Sequence, residues 1–268
     1  MSDAAAGRWG SIAGLAALTV GGAATVFERG SPPAGASAVE VAAFFTTNAT
    51  VLRTQSLLFL ISSAFMLWFL ATLRAHLSAA SDRSARHGAL VFGAGVAYVV
   101  LSIVAQGGQV AVAVVAARTP APELVVAMAA TGSALFTVAA VPAAVMLVAF
   151  AVSAGTGRAV PGWLGLIAAV AAATQLGLLA GVVVDTGPMA ASGWYAFVPY
   201  PCYVGWLVAT AIVLYRRSGR SAAPSGPPPD QQDLDLAGSM AQGGPERVGE
   251  RHDPKPGRPG EQLEHRES

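Results

Sequence analysis

The sequence predicts an all-α fold: a polytopic transmembrane bundle of six spans, both termini cytoplasmic, followed by a disordered C-terminal tail. Three observations predict it. Charged residues make up only 12% of the 268, against roughly 25% in a soluble domain, and they are unevenly placed. Residues 1–215 hold 8 Arg and 6 Asp plus Glu, whereas residues 216–268 hold 8 Lys plus Arg and 9 Asp plus Glu. Apolar runs of the ~20 residues needed to cross a bilayer recur along the first part of the chain. Arginines, finally, gather in alternate short loops. These features exclude a soluble enzyme, a nucleic-acid binder with a basic face and a wholly disordered chain. The net charge of +1 also argues against nucleic acid as a partner. The expected partner is the lipid bilayer, and the expected location is the cell membrane. The single cysteine, Cys202, lies in an apolar run, so no internal disulfide can form.

The spans are read at about 9–27, 55–73, 89–117, 124–152, 162–184 and 194–215, within a domain of residues 1–217. The first is rich in Gly and Ala. A signal peptide competes for it, with Arg8 in the n-region and Gly21-Gly22-Ala23-Ala24 as a small-residue cleavage site; a retained helix is the reading adopted. Between spans one and two, Ser37-Ala38-Val39-Glu40 reads as a capping box, in which the Ser hydroxyl takes the N3 amide and the Glu reaches back. A short surface helix should follow, with Val41, Phe44 and Phe45 on its apolar side, ending near Thr47-Asn48. The third span is longer than one crossing, so it must tilt or protrude. Pro142 should kink the fourth. Pro199 and Pro201 should leave the outer end of the sixth bent or irregular. Residues 218–268 lack a sustained apolar period and read as a disordered cytoplasmic tail.

Orientation follows from arginines in short loops. Arg74, Arg83 and Arg86, then Arg158, then Arg216, Arg217 and Arg220 mark alternate connections. The opposite segments carry Arg29, Arg53 and Arg118 against Glu28, Glu40, Glu123 and Asp185. The first set is therefore cytoplasmic. Trp194, Tyr195, Tyr200 and Tyr203 are expected in an outer aromatic belt.

Three groups of residues carry a resemblance: Pro32-Pro33 followed by Val39-Glu40-Val41-Ala42-Ala43-Phe44-Phe45, then Pro161-Gly162-Trp163-Leu164-Gly165, and Val184-Asp185-Thr186-Gly187-Pro188. With them the chain resembles a group of six-helix integral membrane proteins of actinobacteria over roughly residues 10–217. The resemblance implies a six-helix membrane protein and carries no activity over.

Ionisable groups inside a bilayer are costly and invite a functional reading, yet none lies at the middle of a span. The candidates are Gln106, Gln109, Gln175 and Asp185, with Arg53 at similar depth to Asp185. Tyr98, Ser102, Gln106 and Gln109 fall at i, i+4, i+8 and i+11, one stripe of a helix. Thr174, Gly177, Gly181 and Asp185 form a second stripe. Its Gly177/Gly181 pair should admit a neighbouring backbone. Two readings stand: an outward-facing polar pocket with an Arg53–Asp185 pair at its mouth, or interhelical amide bonding plus two charges at the headgroup level. His76 and His87 read as solvated loop histidines. No cofactor or metal set is expected: there is no intramembrane histidine for haem, no Cys/His cluster for zinc and no GxSxG, HExxH or Walker lysine. The expected function is a non-enzymatic accessory or small-ligand-sensing bundle. The alternative is a transporter or channel for a neutral or weakly polar solute.

Overall fold

The computed structural model describes residues 3–27, 32, 35–156, 159–184, 187, 189 and 193–220. The expected disordered tail lies outside the described residues from 221 onward, and residues 218–220 belong to the last turn of a helix. The described part falls in one compact unit, and among the described residues there is no strand. The helices are α1 (Asp3–Val26), α2 (Ala38–Thr47), α3 (Ala49–Ser78), α4 (Asp82–Arg118), α5 (Pro122–Thr156), α6 (Gly162–Leu178) and α7 (Pro199–Arg220). Short 3-10 turns cover Leu179–Val182 and Trp194–Phe197. Six segments are long and apolar enough to cross a bilayer, with α2 the short exception. The chain is a multi-pass helical membrane protein.

Short connections make chain neighbours antiparallel neighbours in space. α3 packs on α4, α4 on α5, α5 on α6 and α6 on α7, while α1 packs on both α3 and α7 and so closes a ring. One end of the ring gathers the α3–α4 turn, the α5–α6 connection, the C-terminal turns of α7 and the start of α1. His76 and Arg217 both hydrogen-bond the Ala159 carbonyl there, and Gly7 lies against Ser218. This is the arginine-rich end.

The small residues that make span one look weak are what seat α1. Gly7, Gly10, Gly14, Ala17, Gly21 and Ala24 recur at alternating spacings of three and four, one seam of a helix. A Cβ built at Gly10 would fall 1.8 Å from Thr72 Oγ1, and one at Gly14 would fall 2.6 Å from the Phe69 ring. Ser62 Oγ donates to Ala17 O at 2.7 Å across the same seam. Comparable approaches occur at Gly95, between Leu70 and Met146, and at Gly165, against Ala154 and Ala151 O.

The buried core lies toward the arginine-rich end. Phe69, Leu70, Leu73 and Leu77 of α3 meet Val91 of α4, Met146, Leu147 and Phe150 of α5, Leu164 of α6 and Trp206 of α7. Trp206 is completely buried, edge-on to Phe150 (centroids 5.3 Å apart) and to Phe69 (6.5 Å).

Of the expectations for the prolines and the aromatic belt, that for Tyr203 needs correcting. α5 runs unbroken through Pro142; a membrane helix tolerates proline where neighbouring groups and local adjustment compensate the lost bond. Pro199 and Pro201 stand in the first turn of α7, where positions need no amide donor, and the outer end of the span is irregular as expected. The irregular stretch is the preceding 3-10 turn, Trp194–Phe197. Tyr203 is not in an aromatic belt: it is 9% exposed, 5.6 Å from the Tyr98 ring and 5.7 Å from Trp206, with its hydroxyl on Met66 Sδ. Trp194 and Tyr200 are exposed at the surface.

The α1 seam makes a direct prediction. Gly14→Leu must displace the buried Phe69 ring and should cost about 1–3 kcal/mol, read as a lower thermal melt of detergent-solubilised protein. Gly22→Leu, where an added Cβ meets nothing within 4 Å, should melt like the parent.

Candidate functional site

At the end opposite the arginines, α2 lies across α4 and α5. Its start is fixed locally. Ser37 N donates to Glu40 Oε2 at 2.7 Å, Ser37 Oγ donates to the same oxygen at 2.9 Å, and Glu40 N donates to Ser37 Oγ at 3.3 Å, so the expected capping box is present. These donors hold the Glu40 carboxyl below its ordinary pKa, the backbone amide of Ser37 contributing most. Asn48 ends the helix, with Nδ2 donating to Phe44 O at 2.9 Å. Thr46 Oγ1 is within hydrogen-bond distance of Ala42 O (2.8 Å) and Ala116 O (3.0 Å), which ties α2 to the end of α4.

Beneath α2 is a cavity of about 440 Å³. α2 contributes Val41, Phe44 and Phe45. Ala105, Gln109 and Val112 of α4 line it at i, i+4 and i+7, and Met128, Gly132 and Phe136 of α5 at i, i+4 and i+8, with Ser133 alongside. The chamber is thus mostly aromatic and aliphatic, with an amide and a hydroxyl as its polar handles. Its described lining holds no ionisable side chain. It suits a neutral molecule with an apolar body and a group that can exchange hydrogen bonds.

Gln109 Nε2 donates to Gln55 Oε1 at 3.0 Å, joining α4 to α3. Gln106, one turn from Gln109, is 5% exposed, and its Oε1 has no hydrogen-bond partner. Gln175 is 7% exposed on α6. Arg53 is exposed near the start of α3. Asp185 lies outside the described residues, and with it the Arg53–Asp185 pair. The cavity therefore brings in Gln109 from the sequence candidates and does not include Gln106, Gln175 or Arg53 among its described lining.

Two hydrogen-bond partners escape the sequence reading. Gln55 reads as a span boundary, although an amide two residues before the apolar run that starts at Leu57 is itself a signal. Tyr195 was assigned to the belt; its hydroxyl donates to Thr174 O at 3.2 Å. The space at Gly177 is taken by the Tyr195 ring, with Oη 2.1 Å from where a Cβ would sit, so this glycine admits a side chain and not a helix backbone.

The histidines also differ from expectation. His76 Nε2 donates to Ala159 O at 3.0 Å, and the Arg217 guanidinium donates to the same carbonyl. His87 has its Nδ1 buried without a hydrogen-bond partner. Both are half-buried because α3 and α4 extend as helices beyond the apolar stretch and carry them against neighbouring elements. Among the described residues no group of three His, Cys, Asp or Glu could hold a metal ion.

Two outcomes are expected. Interhelical amide bonds average about 0.6 kcal/mol in membranes. Gln55→Leu and Gln109→Leu together should therefore destabilise by less than the sum of the singles in a double-mutant cycle of detergent unfolding. Glu40 has a depressed pKa in the folded chain, so its stabilising contribution is present above the ordinary value of 4.5 and lost as pH falls below it. A spin label at the exposed Val39 should gain mobility below that pH, and Glu40→Gln should abolish the transition.

No family model, no curated protein and no solved structure matches this chain.

Proposed function

We propose that this is a non-enzymatic ligand-sensing or accessory membrane protein, and that its ligand is a small, uncharged amphipathic molecule held in the chamber under α2. The observation that carries the reading is the chamber itself: about 440 Å³ between α2, α4 and α5, walled by Phe44, Phe45, Met128 and Phe136, with Gln109 and Ser133 as its polar contacts. A described lining without carboxylate, imidazole or amine offers orientation and affinity but no proton transfer, which is why binding is favoured over catalysis. α2 is well placed to report occupancy, because it forms one wall, contributes no buried residue of its own and is tied to the end of α4 through Thr46.

Transport of a neutral solute is the second reading, favoured by the change of α6 into a 3-10 turn at Leu179–Val182. It weighs less because Tyr98, Tyr203, Trp206, Phe69 and Phe150 pack together in the core between the amide-bearing half and the arginine-rich end.

The test uses 3-azioctanol, a photoreactive eight-carbon alcohol, on the full chain in bilayer discs. Label should concentrate on chamber residues such as Phe136 and Met128. Gly132→Leu should remove most of it without lowering the melt, since an added Cβ there meets nothing within 4 Å and leucine favours a helix more than glycine does. Label spread over lipid-facing residues such as Leu166 and Val170, unchanged by Gly132→Leu, would overturn the reading.

A further inference from the structure

A second concavity lies on the outside of the bundle, with His87 toward its arginine-rich end and Leu176, near the end of α6, toward the other. It has a volume of about 360 Å³ and runs along α5. Its floor is Ala144 and Ala149, both buried, and its walls include Val148, Val152 and Leu90, all partly exposed. His87 lines it beside Val152, and its Nδ1 is buried without a hydrogen-bond partner.

The sequence of α4 joins this groove to charge. Arg83, Arg86, His87 and Leu90 fall at i, i+3, i+4 and i+7, one face of the helix. Arg83 and Arg86 are exposed. Arg74, also exposed, lies over the Phe92 ring at 5.3 Å, and Arg217 is on Ala159 O. Asp82 is the acid in the first turn of α4, and the helix N-terminus adds partial positive charge at the same depth. One continuous face therefore passes from two exposed guanidiniums, past an imidazole, into an apolar slot floored by alanines.

We propose that this groove binds an anionic phospholipid of the cytoplasmic leaflet, one acyl chain lying on Ala144 and Ala149 and the phosphate held by Arg83 and Arg86 beside His87. Charge complementarity selects the occupant. A polybasic segment at the membrane surface attracts anionic lipid, and here the basic face continues into a slot at acyl-chain depth. A zwitterionic lipid would fill the slot but gain little from two guanidiniums. A free phosphate would use the guanidiniums and leave the slot unused. The site is separate from the chamber under α2 and does not depend on the reading given to it.

Native mass spectrometry of the full chain, taken from micelles with equal phosphatidylglycerol and phosphatidylcholine, tests this. Phosphatidylglycerol should be retained preferentially, and less so at high salt. Arg83→Gln and Arg86→Gln should each lower its retention roughly fivefold. Val148→Trp, which obstructs the slot, should lower it too, while Arg216→Gln, at the same end on α7, should not. If a glutamine variant melts below the parent in phosphatidylcholine alone, Arg83→Lys and Arg86→Lys keep the charge and should keep the lipid. Equal loss from Arg216→Gln would mean a diffuse basic surface and overturn the proposal. So would equal retention of phosphatidylcholine, or displacement by glycerol 3-phosphate at the concentration at which phosphatidylglycerol binds.

Discussion

Helices in hydrocarbon gain nothing from hiding apolar side chains from one another, because lipid tails are equally apolar. Their association rests on fit, and in this chain the decisive fit is the seam between α1 and α3. Gly10 and Gly14 let the two backbones approach until Thr72 and Phe69 occupy the space their side chains would need, and Ser62 adds a hydrogen bond to Ala17 O. The ring closes only because α1 also reaches α7. Without that seam, Phe69 and Trp206, which meet edge-on in the middle of the core, would lose the helix that packs behind them.

The two ends of the ring are built differently. At the arginine-rich end, large side chains of five helices interlock, and the Ala159 carbonyl is held by both His76 and Arg217. At the other end α6 loses its regular pitch after Leu178, the turn at Trp194–Phe197 is 3-10, and Val183 and Trp194 are 81% and 65% exposed. Looser packing there leaves room for a chamber and calls for α2 as a further wall. A capping box and an asparagine at its two ends let α2 stand as a helix with no buried residue to anchor it.

Intramembrane polarity is sparse and unevenly satisfied. Most span hydroxyls bond back to the carbonyl four residues earlier, as Ser63, Ser102 and Thr137 do, which removes their cost without linking helices. Other polar side chains join elements: Ser62 to α1, Gln109 to Gln55, and Tyr195 to Thr174. Ser56 Oγ and Gln106 Oε1 are buried without partners; an unmet buried polar atom costs about 1–3 kcal/mol. Stability alone would favour apolar residues at both positions.

The sequence by itself determined the class and most of the helices. Long apolar runs with charges confined to their flanks have one outcome in a bilayer, since every backbone amide must be bonded within its own segment. The capping box at Ser37 and Glu40 was legible for the same reason: it is a local exchange of hydrogen bonds over four residues. Tertiary structure decided what lies between helices. Gly10, Gly14 and Gly177 look alike in the sequence, yet the first two admit Thr72 and Phe69 of a packed helix and the third the ring of Tyr195 from a 3-10 turn. Gln109 found Gln55, 54 positions away, and Tyr203 turned inward to Tyr98 and not outward to the interface. A spacing of three or four fixes which residues share a face. Which helix that face meets depends on how the ring closes, and closure is set by the shapes of segments far apart in the chain.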